Sequence, residues 1–209
     1  MSDLISLPPL SLYVHMPWCV RKCPYCDFNS HAAPGDEQGG VPEAAYISAL
    51  LQDLDQDLAD FPDTHAGERE LVSIFIGGGT PSLISPAGYA TLFTGLRQRL
   101  RFADDIEITL EANPGTVEQG LFQGYREVGI NRLSIGVQTF QTAQLKALGR
   151  IHSGDEAQRA AQSAREVGFS NFNLDLMHGL PGQSLQQALD DLRQAIALEP
   201  THLSWYQLT

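Results

Sequence analysis

The chain has 209 residues, 43% of them hydrophobic and 18% charged, with a net charge of −12. That composition suits one sizeable globular core and excludes a disordered chain. With no Lys/Arg-rich run to neutralise phosphates, it also excludes nucleic acid as an expected partner.

The start, Met1-Ser2-Asp3-Leu4, has neither a basic nor an apolar leader segment, so no signal peptide is expected. No apolar run approaches the roughly 18 residues of a membrane span. A cytoplasmic location follows as the default. Residues 1–11 read as an N-terminal extension with two prolines, and residues 12–209 as the core domain.

Ser11 to His15, β-branched and aromatic, reads as the first strand. All three cysteines follow at once, as Cys19, Cys23 and Cys26 in a C-x3-C-x2-C spacing. Residues 32–41 are expected to be a flexible connection. Pro42 opens a helix whose stripe is Ile47, Leu50, Leu51, Leu54, Leu58 and Phe61. Leu71 to Ile76 is a short apolar run stopped by Gly77-Gly78-Gly79, which fits a buried parallel strand. Ser85-Pro86 opens the next helix, with Tyr89, Leu92, Phe93, Leu96 and Leu100 inward.

Ile106 to Leu110 is a third strand, ending at Glu111. Thr116 with Gln119 has capping-box spacing and predicts a helix to Gly129. Leu133 to Val137 is a fourth strand, ending at Gln138. Ser153 with Glu156 predicts a helix to Gly168, and Phe172 to Leu176 a fifth strand containing Asp175. Ser184 with Gln187 predicts a helix to about Leu198, and His202 to Leu208 a sixth strand. One echo supports the repeat: Arg126-Glu127-Val128-Gly129 returns as Arg165-Glu166-Val167-Gly168, each copy before a strand.

Alternating strand and helix gives an α/β fold with a parallel sheet, open or barrel-like, with its chemistry at the carboxyl ends of the strands. The unusual residues fall there after five of the strands, which suits a partial (β/α)6 TIM-like barrel better than an open doubly wound sheet. A closed barrel needs about 250 residues, so a C-terminal continuation is expected beyond this chain.

Three thiolates on one loop can hold an iron–sulfur cluster with one iron left open. They can equally serve a zinc site with His15 or His31 as fourth ligand, or be incidental thiols. The glycine run can be an ordinary turn. Glu111 can be a capping or salt-bridging group, Gln138 can satisfy backbone at a strand end, and Arg150 can be a solvated helix-end charge. Asp175 between Leu174 and Leu176 is harder to explain structurally, because a buried carboxylate is costly unless paired. His15, His31, His152 and His178 read first as polar residues at element ends. Trp18 and Tyr25 read as shields of the cysteine site from water.

The cysteine spacing, with an aromatic before the last cysteine and the first strand ahead of it, resembles the radical S-adenosylmethionine (SAM) superfamily. Gly77-Gly78-Gly79-Thr80-Pro81 resembles that family's glycine-rich segment. Leu12-Tyr-Val-His-Met-Pro-Trp-Cys, Glu111-Ala-Asn-Pro-Gly, Gly136-Val-Gln-Thr-Phe and Asp175-Leu-Met-His-Gly-Leu-Pro-Gly resemble the branch of oxygen-independent coproporphyrinogen oxidases and heme chaperones.

The resemblance implies a [4Fe–4S] cluster on Cys19, Cys23 and Cys26, and SAM on the open iron. An electron from the cluster would cleave the sulfonium and yield a 5′-deoxyadenosyl radical. The implied SAM residues are Tyr13, Tyr25, Gly78, Gly79, Thr80, Glu111, Gln138, Arg150, Asp175 and Thr209. The oxidases carry a further cysteine two residues after the third; here that position is Phe28. This favours a heme-chaperone role, with heme or porphyrin as cargo, a respiratory heme protein as acceptor, an electron donor the chain does not name, and peripheral membrane association. The alternatives are coproporphyrinogen III oxidation and a zinc-stabilised domain without catalysis.

Overall fold

The structure, a computed structural model, describes residues 8–34, 40–62, 66 and 69–209, with 116–119 described at the level of the backbone. Part of the connection expected over 32–41 lies outside these residues.

Six strands form one parallel sheet: β1 Leu10–Met16, β2 Glu70–Gly78, β3 Arg101–Ala112, β4 Arg132–Gln138, β5 Phe172–His178 and β6 His202–Gln207. Their order across the sheet is their order in the chain. Right-handed crossovers between strands that always step the same way place every helix on the same face. That distinguishes a partial TIM-like barrel from a doubly wound sheet, in which the stepping direction reverses.

The crossovers carry helices α1 Glu43–Asp60, α2 Pro86–Arg97, α3 Thr116–Glu127, the pair α4 Thr142–Ala147 and α5 Gly154–Glu166, and α6 Leu185–Ala197. The short α4 has no counterpart among the sequence expectations. Six residues with Leu145 buried are too few to show helical periodicity.

Alternation along each strand sorts the side chains between two faces. Val14, Met16, Ile74, Ile76, Ile108, Leu110, Leu133, Ile135, Leu174 and Leu176 face the helices and belong to one buried core with Leu92, Leu96, Phe122, Tyr125 and Phe169. The opposite, inner face carries a run of hydrogen-bonded polar side chains beside the stacked Tyr13 and Phe75. Ser73 donates to Ser11 (2.8 Å), Ser134 to Asp175 (2.9 Å), Asn173 to Ser134 (3.0 Å) and Ser204 to Asn173 (3.2 Å).

Local chemistry fixes the helix ends. Ser153 with Glu156 and Ser184 with Gln187 are capping boxes, as their spacing predicts. Ser85 caps α2 through Gly88 N–H. Thr116 is a correction: the cap residue is Gly115, so Thr116 is the first helical residue. The repeated Arg-Glu-Val-Gly segments close α3 and α5 alike. Gly129 and Gly168 sit at φ 107° and 92°, and the residues after them bond back to the Tyr125 and Ala164 carbonyls. Both ends are Schellman motifs.

β3 starts five residues before its expected first residue, Ile106. Arg101 and Phe102 pair with Glu70 and Leu71, and the register then shifts before Glu107 pairs with Ser73.

Candidate functional site

The cysteine loop leaves the end of β1 and is tied down along its length. Trp18–Cys19 pairs with His31–Ala32 in a short parallel bridge. Lys22 Nζ donates to the carbonyls of Phe28 (3.2 Å) and Ser30 (2.9 Å). Trp18 packs edge-on against Tyr46 of α1, with centroids 4.6 Å apart, and the Tyr46 hydroxyl donates to the His15 carbonyl at 2.7 Å. Cys19, Cys23 and Cys26 are all free, Cys19 buried and the other two partly open.

The glycine turn at the end of β2 is stitched to this loop. Gly79 N–H donates to Met16 O and Thr80 N–H to Trp18 O, both at 2.6 Å. A Cβ on Gly79 would stand 2.4 Å from the Trp18 carbonyl oxygen, so no other residue fits. Gly78, at φ 114°, needs the left-handed freedom of glycine, and a Cβ there would meet the His15 ring at 2.6 Å. From behind, two buried tyrosine hydroxyls hold the following 3-10 turn, Pro81–Leu83. Tyr89 donates to Pro81 O (2.7 Å), and Tyr125 lies 2.9 Å from Ser82 O and 3.0 Å from Ile84 O.

Around this seam the strand ends enclose a cleft of about 670 Å³, within the range of small-molecule sites. Its wall holds Cys19, Cys23, Cys26, Tyr25, Gly78, Gly79, Thr80, Glu111, Gln138, Arg150, Asp175 and Thr209. Of the residues singled out in the sequence, Tyr13 lies outside that wall. It is 56% exposed on the inner face, stacks on Phe75 (6.3 Å) and donates to His15 Nδ1 at 3.0 Å. His15 is not positioned as a fourth metal ligand, since its Nε2 also bonds Asn29 O (2.8 Å), and His31 sits in the exposed bridge.

Glu111 Oε2 accepts the Gly78 N–H at 3.1 Å. Burial pushes its carboxyl from 4.5 up to about 7; the Gly78 bond pulls it down and the charge of Asp175 adds to the rise. Asp175 accepts from Ser134 and from Asn173 (2.8 Å), which answers the desolvation of its strand position. Arg150 Nη2 donates to Asn113 Oδ1 (2.8 Å) and Gly136 O (2.7 Å), while Nη1 lies 3.9 Å from Cys23 Sγ. A guanidinium N–H also bonds the Tyr25 hydroxyl, so Arg150 ties the cysteine loop to Asn113 and Gly136 and places its charge in the cleft wall. Burial pushes the Tyr25 hydroxyl up to about 12, against the pull of Arg150.

The wall residues missed in the sequence include Asn113 and Tyr206. Asn113 bonds Arg150 and donates to Thr80 Oγ1 at 3.2 Å, and the Tyr206 hydroxyl donates to Gln138 Oε1 at 2.6 Å. Asn113, two residues past Glu111 in the same motif, was legible by position. Tyr206 was not, because an aromatic in a strand is ordinary core material. His152 is buried and neutral: its Nε2 bonds Val137 O (3.1 Å), and desolvation lowers it to about 4.

Among the described residues, no three His, Cys, Asp or Glu side chains converge closely enough to hold a single metal ion. A tetrahedral zinc needs its sulfurs about 3.8 Å apart, given a Zn–S bond of ~2.3 Å. A [4Fe–4S] cluster takes one thiolate per iron and accepts ligands spread around a larger body.

Known proteins resemble this chain over nearly all of its length. The heme chaperone HemW of Escherichia coli is 60% identical over 206 residues, 99% of this chain and 52% of the relative. HemW of Bacillus subtilis is 37% identical, covering 95% of this chain and 50% of the relative. The chain thus spans about half the length of these curated relatives. Among solved structures, coproporphyrinogen III oxidase of Escherichia coli superposes with a TM-score of 0.78 at 31% identity, over 96% of this chain and 44% of that one. The model of the radical SAM superfamily matches residues 13–195. With that match spanning most of the chain and the cysteine loop at the centre of the cleft, the protein belongs to the radical SAM superfamily.

Proposed function

We propose that Cys19, Cys23 and Cys26 hold a [4Fe–4S] cluster, that the cleft binds SAM, and that the protein is a HemW-like heme chaperone of the cytoplasm. The observation that carries the reading is convergence: the three free cysteines, the glycine turn, Glu111 and Gln138 from the ends of β1–β4, Asp175 from the middle of β5 and Arg150 from the α4–α5 connection wall one cleft. The donor set fits the cluster, with three thiols and no fourth ligand drawn in by His15 or His31. The fit for SAM is a part-buried carboxyl and a guanidinium set in the wall of one cleft.

In this reading Gly78, Gly79 and Thr80 receive the methionine end. Glu111 takes the ammonium, and the Arg150 guanidinium takes the carboxylate. Gln138 and Asp175 supply polar contacts to the rest of the ligand. Tyr25 and Thr209 close the wall, and Tyr13, outside it, is assigned to SAM by the family resemblance. A cluster held by Cys19, Cys23 and Cys26 would supply the electron that reduces the sulfonium of SAM. The chain's own residues orient the ligand and exclude water from the cysteine loop.

The cargo reading, heme passed to a respiratory heme protein, rests on the HemW relatives and on Phe28. That side chain is 57% exposed on the cleft wall, where the oxidases place a cysteine. No helix of the described residues is long and apolar enough to cross a membrane; the membrane contact proposed for delivery is peripheral. The likeness to coproporphyrinogen III oxidase favours decarboxylation as the second reading.

Heme titration and a coproporphyrinogen assay on the same full-length protein separate the two. Heme binding and transfer without porphyrinogen turnover is expected. Turnover of coproporphyrinogen, with no heme retained, would overturn the chaperone reading.

A further inference from the structure

Gln138 ends β4 with φ 67°, a strained conformation that residues other than glycine rarely adopt. Something must hold it. Its Oε1 is taken by Tyr206. Its Nε2 has no partner among the described residues and lies over Gly136, where a Cβ would come within 3.1 Å. The amide therefore presents its donor end to the cleft.

The next three residues explain how the strained backbone is kept. Thr139 Oγ1 donates to Asp191 Oδ2 at 2.7 Å, and Phe140 N–H donates to Asp191 Oδ1 at 2.9 Å. Gln141 Nε2 adds a longer contact of 3.5 Å to the same oxygen, and Gln141 N–H donates back to Thr139 Oγ1 at 3.0 Å. From the other side Gly154, the first residue of α5, lies against Phe140, whose carbonyl oxygen would stand 2.3 Å from a Cβ. The turn is clamped between two helices.

Asp191 sits on α6 and is fully buried, 0% exposed, with Ala188 and Ala195 on the same buried face. Packing at that position calls for an apolar side chain, because a buried carboxylate is costly unless it is hydrogen-bonded. Both of its oxygens accept from the turn after Gln138. Desolvation raises its carboxyl, and the three donors of the turn pull it back.

We infer that Asp191 is a positioning residue for the SAM cleft, fixing the Thr139–Gln141 turn and thereby aiming the Gln138 amide at the ligand. The inference rests on the reading of the cleft as the SAM site. Asp191 touches no ligand; it acts through Gln138.

A double-mutant cycle tests this. SAM affinity is measured by anaerobic calorimetry on reconstituted protein for wild type, D191A, Q138A and the pair, with iron content and far-UV dichroism recorded for each. The two single substitutions are each expected to weaken SAM about tenfold at full iron content. The pair is expected to be no weaker than either alone, the signature of residues acting as a unit. D191N keeps the volume and one acceptor and is expected to lose less; it takes the place of D191A in the cycle if D191A fails to fold. Wild-type affinity in D191A, or losses that multiply in the pair, overturns the role of Asp191 and leaves the SAM reading standing. Failure of the wild type itself to bind SAM overturns both.

Discussion

Two residues at the site titrate in opposite directions, and their windows overlap. Glu111 holds its proton up to about pH 7 in the fold, against 4.5 unfolded. A raised carboxyl stabilises the fold while protonated, and that contribution is lost as pH rises through the window, at most about 3 kcal/mol. His152 stays neutral down to about 4, against 6.5 unfolded. Its contribution runs the other way: stability is lost as pH falls from 6.5 toward 4, by a similar amount, about 3 kcal/mol at most. Between roughly pH 4.5 and 6.5 the two slopes offset each other.

Glu111→Gln removes one slope and leaves the other. Urea midpoints at pH 4.5, 5.5 and 6.5 should fall with acidity more steeply for this variant than for wild type. Parallel profiles would count against the buried, protonated Glu111. At this scale the sequence showed which residues stand at strand ends but not their partners. Asp175 lay legible between two leucines. Tyr206 on Gln138 is a contact across 68 positions that no local pattern carries.

At the scale of elements, the site depends on how the glycine turn is held. The 3-10 turn that follows it has its carbonyls bound from behind by Tyr89 of α2 and Tyr125 of α3, both fully buried. Tyr125→Phe keeps the ring in the core and removes the donor, leaving carbonyls of the turn short of one. The expected cost is about 1–3 kcal/mol. In a domain of this size that corresponds to a Tm lower by roughly 2–12 °C. An unchanged Tm would mean that the hydroxyl is not what fixes the turn.

Helix starts were readable where a serine preceded a Glu or Gln by three, as at Ser153 and Ser184. The same spacing at Thr116 misled, because Gly115 takes the cap and Thr116 enters the helix. Cap chemistry is a preference among neighbouring residues, and spacing alone does not choose between adjacent positions. The Asp191 contact to Thr139 lay hidden for a different reason: in sequence Asp191 is one acid in an acidic, amphipathic helix.

For the whole molecule, strand order equal to chain order decides the architecture. It puts the apolar face of the sheet under one layer of helices and leaves a polar inner face with every strand end pointing at the cysteine loop. The alternation of strands and helices was legible. The choice between a barrel and a doubly wound sheet depends on pairing, which one sequence does not display; only the spread of unusual residues over several strand ends hinted at it.

Because the core is formed by helices and strands away from the loop, Cys23→Ala should fold with wild-type far-UV dichroism and lose most of its iron and sulfide after reconstitution. Full iron retention would contradict the ligand assignment.

The most direct test of the account is the electron paramagnetic resonance spectrum of the reduced, anaerobically reconstituted protein, recorded with and without SAM. The account predicts a cluster signal that shifts when SAM is added, because the ligand occupies the open iron beside Cys19, Cys23 and Cys26. A cluster signal indifferent to SAM, or colourless protein carrying stoichiometric zinc, would contradict it.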